Sequence, residues 1–171
     1  MKGLLVLLIA LSVGPVLADT PLPPPKILKV CSADRNICAV SDPATNKTVI
    51  SSVAPRQALW TLPGWHRWLF VSDDGISAVA GYSGMNLVPL NVTLDEPVLF
   101  FYRRGKLVNS TRLGDLYKHK CQLQPTASHL AWADGGEFND ANQFVVTLVY
   151  GRRVAFSPST GQVVRERRDG T

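Results

Sequence analysis

Three groups of side chains in this chain have the types and spacing that chemistry would need. Ser128 and His129 are adjacent, and with one of the chain's aspartates they would make the nucleophile, base and orienting acid of a hydrolase. In an extended strand, however, neighbouring side chains point to opposite faces, which is poor geometry for such a pair. No G-x-S-x-G elbow is present, since Ser77 and Ser83 lie in DGISAV and GYSGMN. His119, Cys121 and His129 offer imidazole and thiolate ligands to a transition metal, and His119-x-Cys121 would place two of them on one side of a strand. Their spacing matches no standard metal fingerprint, so no metal site is expected. The carboxylates Asp73 and Asp74, and Asp134, Glu137 and Asp140, could bind calcium or act as paired acid and base. Neither group has the D-x-D-x-D-G order of a calcium loop, and solvated turn carboxylates are the expected reading.

Aromatic residues give a different kind of candidate. Trp60, Trp65 and Trp68 crowd a short segment around Pro63-Gly64, and Trp132 and Tyr82 lie elsewhere. Trp and Tyr combine a large apolar area with a polar edge, which suits recognition of sugars or peptides as well as plugging the end of a sheet. Trp60, Trp65, Trp68 and Tyr82 are therefore the candidate binding surface. Arg152 and Arg153 join them because the C-terminal part of the chain is the basic one. Residues 19 to 99 carry six basic and seven acidic groups, residues 100 to 171 eleven and six. Positive potential of that kind attracts polyanions, and the partners it suits are an envelope protein or an anionic surface polymer. Nucleic acid is not expected, because the aromatics are not interleaved with the basic pairs as a stacking platform requires. No cofactor is expected.

The N-terminus sets the compartment. Met1-Lys2-Gly3 precedes LLVLLIALSVGPVLA, the layout of a signal peptide over residues 1–18 with cleavage after Ala18. Gly14 and Pro15 interrupt the run, and no later stretch is a candidate span, so a periplasmic or extracellular protein with no membrane span after cleavage is expected. Residues 19–25 read as a proline-rich tether, residues 26–168 as a single domain, and residues 169–171 as a flexible end. In an oxidising compartment the favoured disulfide is Cys31 with Cys38, across the turn in CSADRNIC. Cys121 is left over, either as their alternative partner or as a buried thiol.

From Lys26 onward, short apolar runs alternate with turn chemistry and helical periodicity is almost absent, which predicts antiparallel β structure. ILKVCS and NICAVS flank one turn, and SDPATNKT leads into VISSV. FVS and ISAVAGY flank Asp73-Asp74-Gly75. PVLFFY and KLVNST flank Arg103-Arg104-Gly105, QFVVTLVY and RVAFS flank Gly151, and SPSTG turns RVAFS into QVVRE. In each turn a Gly or Asn is expected at positive φ. VAPRQALWTLPGWHR is expected to be an irregular connection, because Pro55 and Pro63 discourage both a central strand and a long helix. Leu113, Leu116 and Tyr117 predict a short helix near 112–119, and AWADGGEFNDANQ an exposed loop in which only Trp132 and Phe138 can be buried. YSGMNLVPL, leaving the second strand of the FVSDDGISAVAGY hairpin, is a loop that could line the face the tryptophans expose.

SDDGISAVAG and SPSTGQVV resemble the outer hairpins of β-propeller blades of the WD40-like kind. The order FFYRRGKLVNSTRLGDL, SHLAW, VAFSPSTGQVV is similar to small exported bacterial proteins of uncharacterised function, over roughly residues 66 to 165. The shared motifs are structural turns and bring no catalytic residues with them. A full propeller needs at least four blades of about 40 residues, more than this chain supplies. The hairpin turns near Asp42, Asp73 and Arg104 recur at similar intervals, but the sequences between them do not match. The bacterial resemblance also implies that the sequons NKT, NVT and NST are unmodified.

The fold class expected is all-β: an antiparallel hairpin meander arranged as a curved sheet, a sandwich or an incomplete propeller-like sheet. The function expected is non-enzymatic, a binding or structural component of the periplasm or envelope. The rival is a small secreted hydrolase using Ser128 and His129 or the acidic loop 134–140, and an inhibitor or chaperone acting through an edge strand fits the same fold.

Overall fold

The computed structural model describes residues 22–167; the signal-peptide reading and the C-terminal end lie outside them. The chain is all-β, with antiparallel strands in four sheets. Three sheets are four-stranded. The first is β1 (Leu28–Cys31), β2 (Ile37–Asp42), β3 (Lys47–Ser52) and β4 (Gln57–Pro63), an uninterrupted meander. The second contains β5 (Leu69–Val71), β6 (Ser77–Gly81), β8 (Pro97–Arg103) and β9 (Lys106–Arg112). The last is β12 (Ala133–Phe138), β13 (Phe144–Leu148), β14 (Arg153–Phe156) and β15 (Val163–Arg167). A small sheet of β7 (Leu87–Pro89), β10 (Gln124–Pro125) and β11 (His129–Ala131) is assembled from segments outside the meanders. The predicted helix is a single turn, α1 (Leu113–Leu116), followed by a 3-10 turn at Lys120–Gln122.

The second sheet lies between the other two large ones, which explains the composition of its central strand. In β6, Ser77 to Ala80 are all buried. Ala78 and Ala80 face the first sheet, packing with Ile37, Ala39, Ile50 and Leu62, while Val79 faces the opposite core. Two alanines on one face allow that sheet to come close. Phe101 and Leu99 of β8 join the larger core with Phe144, Val146 and Phe156 of the last sheet, and Trp132, Leu113 and Leu116 close its end. Its neighbours Phe100 and Tyr102 pack on the first sheet instead.

The first hairpins of the three meanders use related turns, closing over five positions in the first two and over four in the third. The Ser32 and Ser72 amides each donate to the carbonyl five positions on, whose amide returns a bond to the serine hydroxyl, and each hydroxyl donates to the carboxylate of Asp34 or Asp74 at 2.6 or 2.5 Å. In the third hairpin Asn139 takes an analogous part, accepting through its side-chain oxygen from the amides of Ala141 and Gln143. The fourth residue has positive φ in all three: Arg35 at 61°, Gly75 at 66° and Asn142 at 54°. The three turns meet. The Asp34 amide donates to Asp73 at 3.1 Å, and the Asn142 side chain donates to Asp74 at 2.9 Å. Bonds from the Ser32 hydroxyl and from Asn36 stabilise the ionised form of Asp34 and lower its pKa to about 2.

Several expectations need correction. Gln57–Pro63 is not an irregular connection but β4, an edge strand in which Pro63 is the last residue; Pro55 lies in the preceding turn, after a cis Ala54–Pro55 bond. ADGGEF is β12 rather than a loop. Gly136 is needed there, since a Cβ would stand 2.7 Å from the Phe144 ring. In the first turn Arg35, not Asn36, takes the positive φ, and in the Arg103–Lys106 turn Arg104 shares it with Gly105. Repetition is present, but it links the turn near Asp73 to the Ser32 and Asn139 turns rather than to those near Asp42 and Arg104.

The Cys31–Cys38 disulfide is formed, joining two residues directly opposite in the β1–β2 register. Cys121 is exposed rather than buried. By loop-closure entropy a bridge this short contributes about 2.5 kcal/mol. A Cys31→Ala/Cys38→Ala double variant is expected to lose roughly that amount in urea denaturation; a loss below about 0.5 kcal/mol would mean the hairpin is as constrained without it. No helix among the described residues is long and apolar enough to cross a membrane.

Candidate functional site: an aromatic cleft

The cleft begins with the β2–β3 turn. Asp42 accepts from the Ala44 amide, and Asn46 takes a φ of 49°. That conformation lets Asn46 receive the Gly64 amide on its carbonyl and the Trp65 amide on its side-chain oxygen, at 2.9 and 3.0 Å. The buried Ser41 hydroxyl accepts the His66 amide at 2.7 Å, and Thr48 Oγ1 donates to Gly64 O at 3.0 Å. Residues 64 to 66 are thus pinned by four bonds from the β2–β3 hairpin, which makes the segment after β4 a fixed wall rather than a mobile loop.

Behind that wall is a cleft of about 330 Å³. Trp65, His66 and Arg67 line it together with Phe100 and Tyr102 of β8 and with Tyr82, Ser83 and Glu96. Tyr82 and Ser83 belong to the stretch that leaves β6, so YSGMNLVPL does line the face Trp65 helps to form. Its Met85 carbonyl is occupied elsewhere, by the Trp132 indole at 3.0 Å. Arg67 lies over the Trp65 ring at 4.9 Å, and His66 stands 6.2 Å from Tyr102 between ring centroids. Burial lowers the His66 pKa, against the raising effect of its bond to Pro63 O. Burial also raises the phenol pKa of Tyr102, and that of Tyr82, where the Glu96 charge adds to it. The cleft therefore presents neutral aromatic faces and hydroxyl edges, with one cation and one carboxylate on it.

A depressed His66 pKa has a definite sign. Above the unfolded value of 6.5 both states are neutral and there is no differential effect; as pH falls below it the unfolded chain takes up the proton more readily, and stability is lost. Urea midpoints measured from pH 7.5 to 5 are expected to fall for the native chain and to fall less for His66→Gln, whose amide can still reach Pro63 O. Parallel profiles would contradict this. The Asp34 contribution is separate, being lost only as pH falls from 3.8 towards about 2.

The other candidate residues are distributed differently. Trp60 is half-buried, donates to Gly75 O at 2.7 Å, and borders a separate depression with Leu59, Asp74, Ile76 and Arg104. Trp68 is a packing residue: its ring meets Trp132 at 5.4 Å and Phe70 at 5.7 Å, and it covers Gly81 so closely that a Cβ there would lie 2.3 Å away. Arg152 donates to Leu116 O and lies over the Tyr117 ring, while Arg153 pairs with Glu137 at 2.7 Å. Of the candidate surface, only Trp65 and Tyr82 are brought together on this cleft. His66, Arg67, Phe100 and Tyr102 were not singled out by the sequence reading. The alternation of Phe100 and Tyr102 with Leu99 and Phe101 is the signal that could have found them, because it marks a strand apolar on both faces.

Ser128 and His129 correct the geometric expectation: Ser128 sits in the turn before β11, and its hydroxyl is 2.8 Å from His129 Nδ1. The pair is on an exposed hairpin, outside the lining of the aromatic cleft. His119 and Cys121 are not on an extended strand, since Lys120–Gln122 is a 3-10 turn. Among the described residues no three His, Cys, Asp or Glu side chains gather in a way that could hold a metal ion. Asp134 and Glu137 border a shallow depression along β12 with Gly135, Gly136 and Thr147. Asn46 and Asn109, from two of the three sequons, are used internally: Asn46 as described, and Asn109 by donating to Gly161 O at 2.9 Å.

No protein-family model and no curated protein matches the chain. Among solved structures, a chain of Kuenenia stuttgartiensis hydrazine synthase is similar over 81% of this chain and 36% of its own length, with 15% sequence identity and a TM-score of 0.40.

Proposed function

We propose that the protein is an exported, non-catalytic binding component of the periplasm or cell envelope, and that the aromatic cleft is where it binds. The observation carrying this reading is the pinned wall: Trp65 and His66 are held in place by Asn46 and Ser41 rather than left to be ordered by a ligand. Preorganisation of that kind removes part of the cost of binding, and rings with hydroxyl or indole edges suit ligands that are apolar on one side and hydrogen-bonding on the other. A disulfide in the first hairpin suits an oxidising compartment. The signal sequence at residues 1–18 motivates export.

The test is a panel of oligosaccharides and extended peptides followed through the four Trp indole resonances. Ligands of the cleft should move the Trp65 resonance, and Tyr82→Ala should weaken them at least tenfold. A panel that leaves Trp65 unmoved while binding elsewhere would sink the assignment. The Ser128–His129 contact supports hydrolysis as the second reading. Turnover of an ester or peptide substrate that disappears in His129→Ala and survives in Tyr82→Ala would establish that reading instead.

A further inference from the structure

The segment preceding β1, Leu22-Pro23-Pro24-Pro25-Lys26, has no regular secondary structure but is not loose. The Arg67 guanidinium donates to Pro23 O at 2.6 Å, and the Trp65 indole donates to Lys26 O at 2.8 Å. The two accepting carbonyls are three residues apart. Consecutive prolines hold φ near −65° and favour the polyproline II helix, which repeats every three residues, so carbonyls at i and i+3 face the same side about 9 Å apart. That conformation makes no internal hydrogen bonds, so its carbonyls are available to external donors. Trp65 and Arg67, stacked on one another, thus present two donors along one turn of a proline-rich chain, and both also line the aromatic cleft.

From this arrangement we infer that the cleft is a receptor for extended, proline-rich polypeptide, with residues 22–26 as its intramolecular occupant at the Trp65–Arg67 edge. The inference rests on the binding reading above and names its ligand class. Tyr82, Phe100 and Tyr102 continue the aromatic surface beyond the two donors, where further proline rings can lie flat without losing side-chain freedom. A preformed polyproline helix has little conformational entropy left to lose, which is how short peptides of this type bind aromatic grooves. A sugar would use the same rings but gives no account of two donors matched to carbonyls one polyproline turn apart. The chain's own segment competes for those donors, so a proline-rich partner must displace it.

The experiment uses the full-length chain and a synthetic peptide copying residues 20–27, with a Gly-Ser peptide of equal length as control. In a Pro23→Ser/Pro24→Ser/Pro25→Ser variant, which weakens the internal occupant, the peptide should move the Trp65 indole resonance and bind at least tenfold more tightly than to the native chain. Adding Arg67→Ala or Tyr82→Ala to that variant should lower the affinity at least tenfold. Equal response to the Gly-Ser peptide, or no response of the variant at millimolar peptide, would overturn the inference. If the peptide fails while an oligosaccharide moves Trp65, the ligand class is wrong and the binding reading survives. If neither ligand moves it, both readings fall.

Discussion

Trp132→Ala is expected to destabilise the protein by about 3–5 kcal/mol, a large part of the total stability of a domain of this size. Trp132 is fully buried, and its ring packs edge-on against Trp68. Its backbone is also held at both ends: the amide donates to Asn86 O at 2.9 Å, and its carbonyl accepts from the Tyr117 hydroxyl. Burial raises the Tyr117 pKa to about 12, so that hydroxyl keeps its proton and remains a donor at ordinary pH. The indole N–H reaches Met85 O, tying the β6–β8 excursion to the link between β11 and β12. Removal of the side chain therefore opens a cavity and strips the part-buried Met85 carbonyl of its donor. Trp132→Phe keeps the six-membered ring and loses the donor with the smaller ring, and is expected to cost less, about 1–3 kcal/mol. Urea denaturation measures both. A Trp132→Ala loss of under about 1 kcal/mol would mean that the end of the core collapses around the gap.

Phe144→Ala is the second substitution expected to cost about 3–5 kcal/mol. Phe144 is fully buried on β13, with Phe70 at 5.1 Å, Phe138 at 5.6 Å and Phe101 at 6.1 Å between ring centroids. Phe70 belongs to β5 and Phe101 to β8, so this one ring joins the second sheet to the last. Gly136 is the counterpart of that ring on β12, leaving the space the phenyl edge fills. Phe144→Leu should cost visibly less, because it retains most of the apolar volume while losing the ring-to-ring contacts. The coupling with Phe101→Ala should exceed about 0.5 kcal/mol in a double-mutant cycle, as expected of residues in contact. Strict additivity would show that the sheets pack independently of the ring cluster.

Most hairpins were legible because their turns carry the chemistry locally. Asp42-Pro43, Asp74-Gly75 and Gly161 each fix backbone angles that the flanking residues then follow. The strands that escaped notice were those whose local composition argues against a strand. β4 lies between Pro55 and Pro63, and only its position at the edge of a sheet makes that acceptable. β12 contains Asp134-Gly135-Gly136, and only the approach of Phe144 gives Gly136 a reason to be there. The repeat was hidden for a related cause. Ser32 and Ser72 share a residue type but Asn139 shares only a hydrogen-bonding role with them, and the excursion through β7 and the α1-to-β11 segment separates the second and third copies by an irregular interval. The cleft is harder still to read from sequence. Its wall depends on Asn46 reaching across nineteen positions to Trp65, a tertiary bond with no local signature.

The position of the disulfide also bears on mechanical load. Cys31 is the last residue of β1 and Cys38 lies beside the turn, so the bridge closes the inner end of the first hairpin and leaves the outer end, Leu28 opposite Ser41, bound only by its ladder. Tension drawn through the proline segment first meets the Arg67 and Trp65 bonds, then peels β1 from β2 one pair at a time. It stops at Cys31. The turn containing Asp34, which touches the second meander, is thereby shielded from that pull, and strain at the chain's start is confined to the few residues ahead of the bridge.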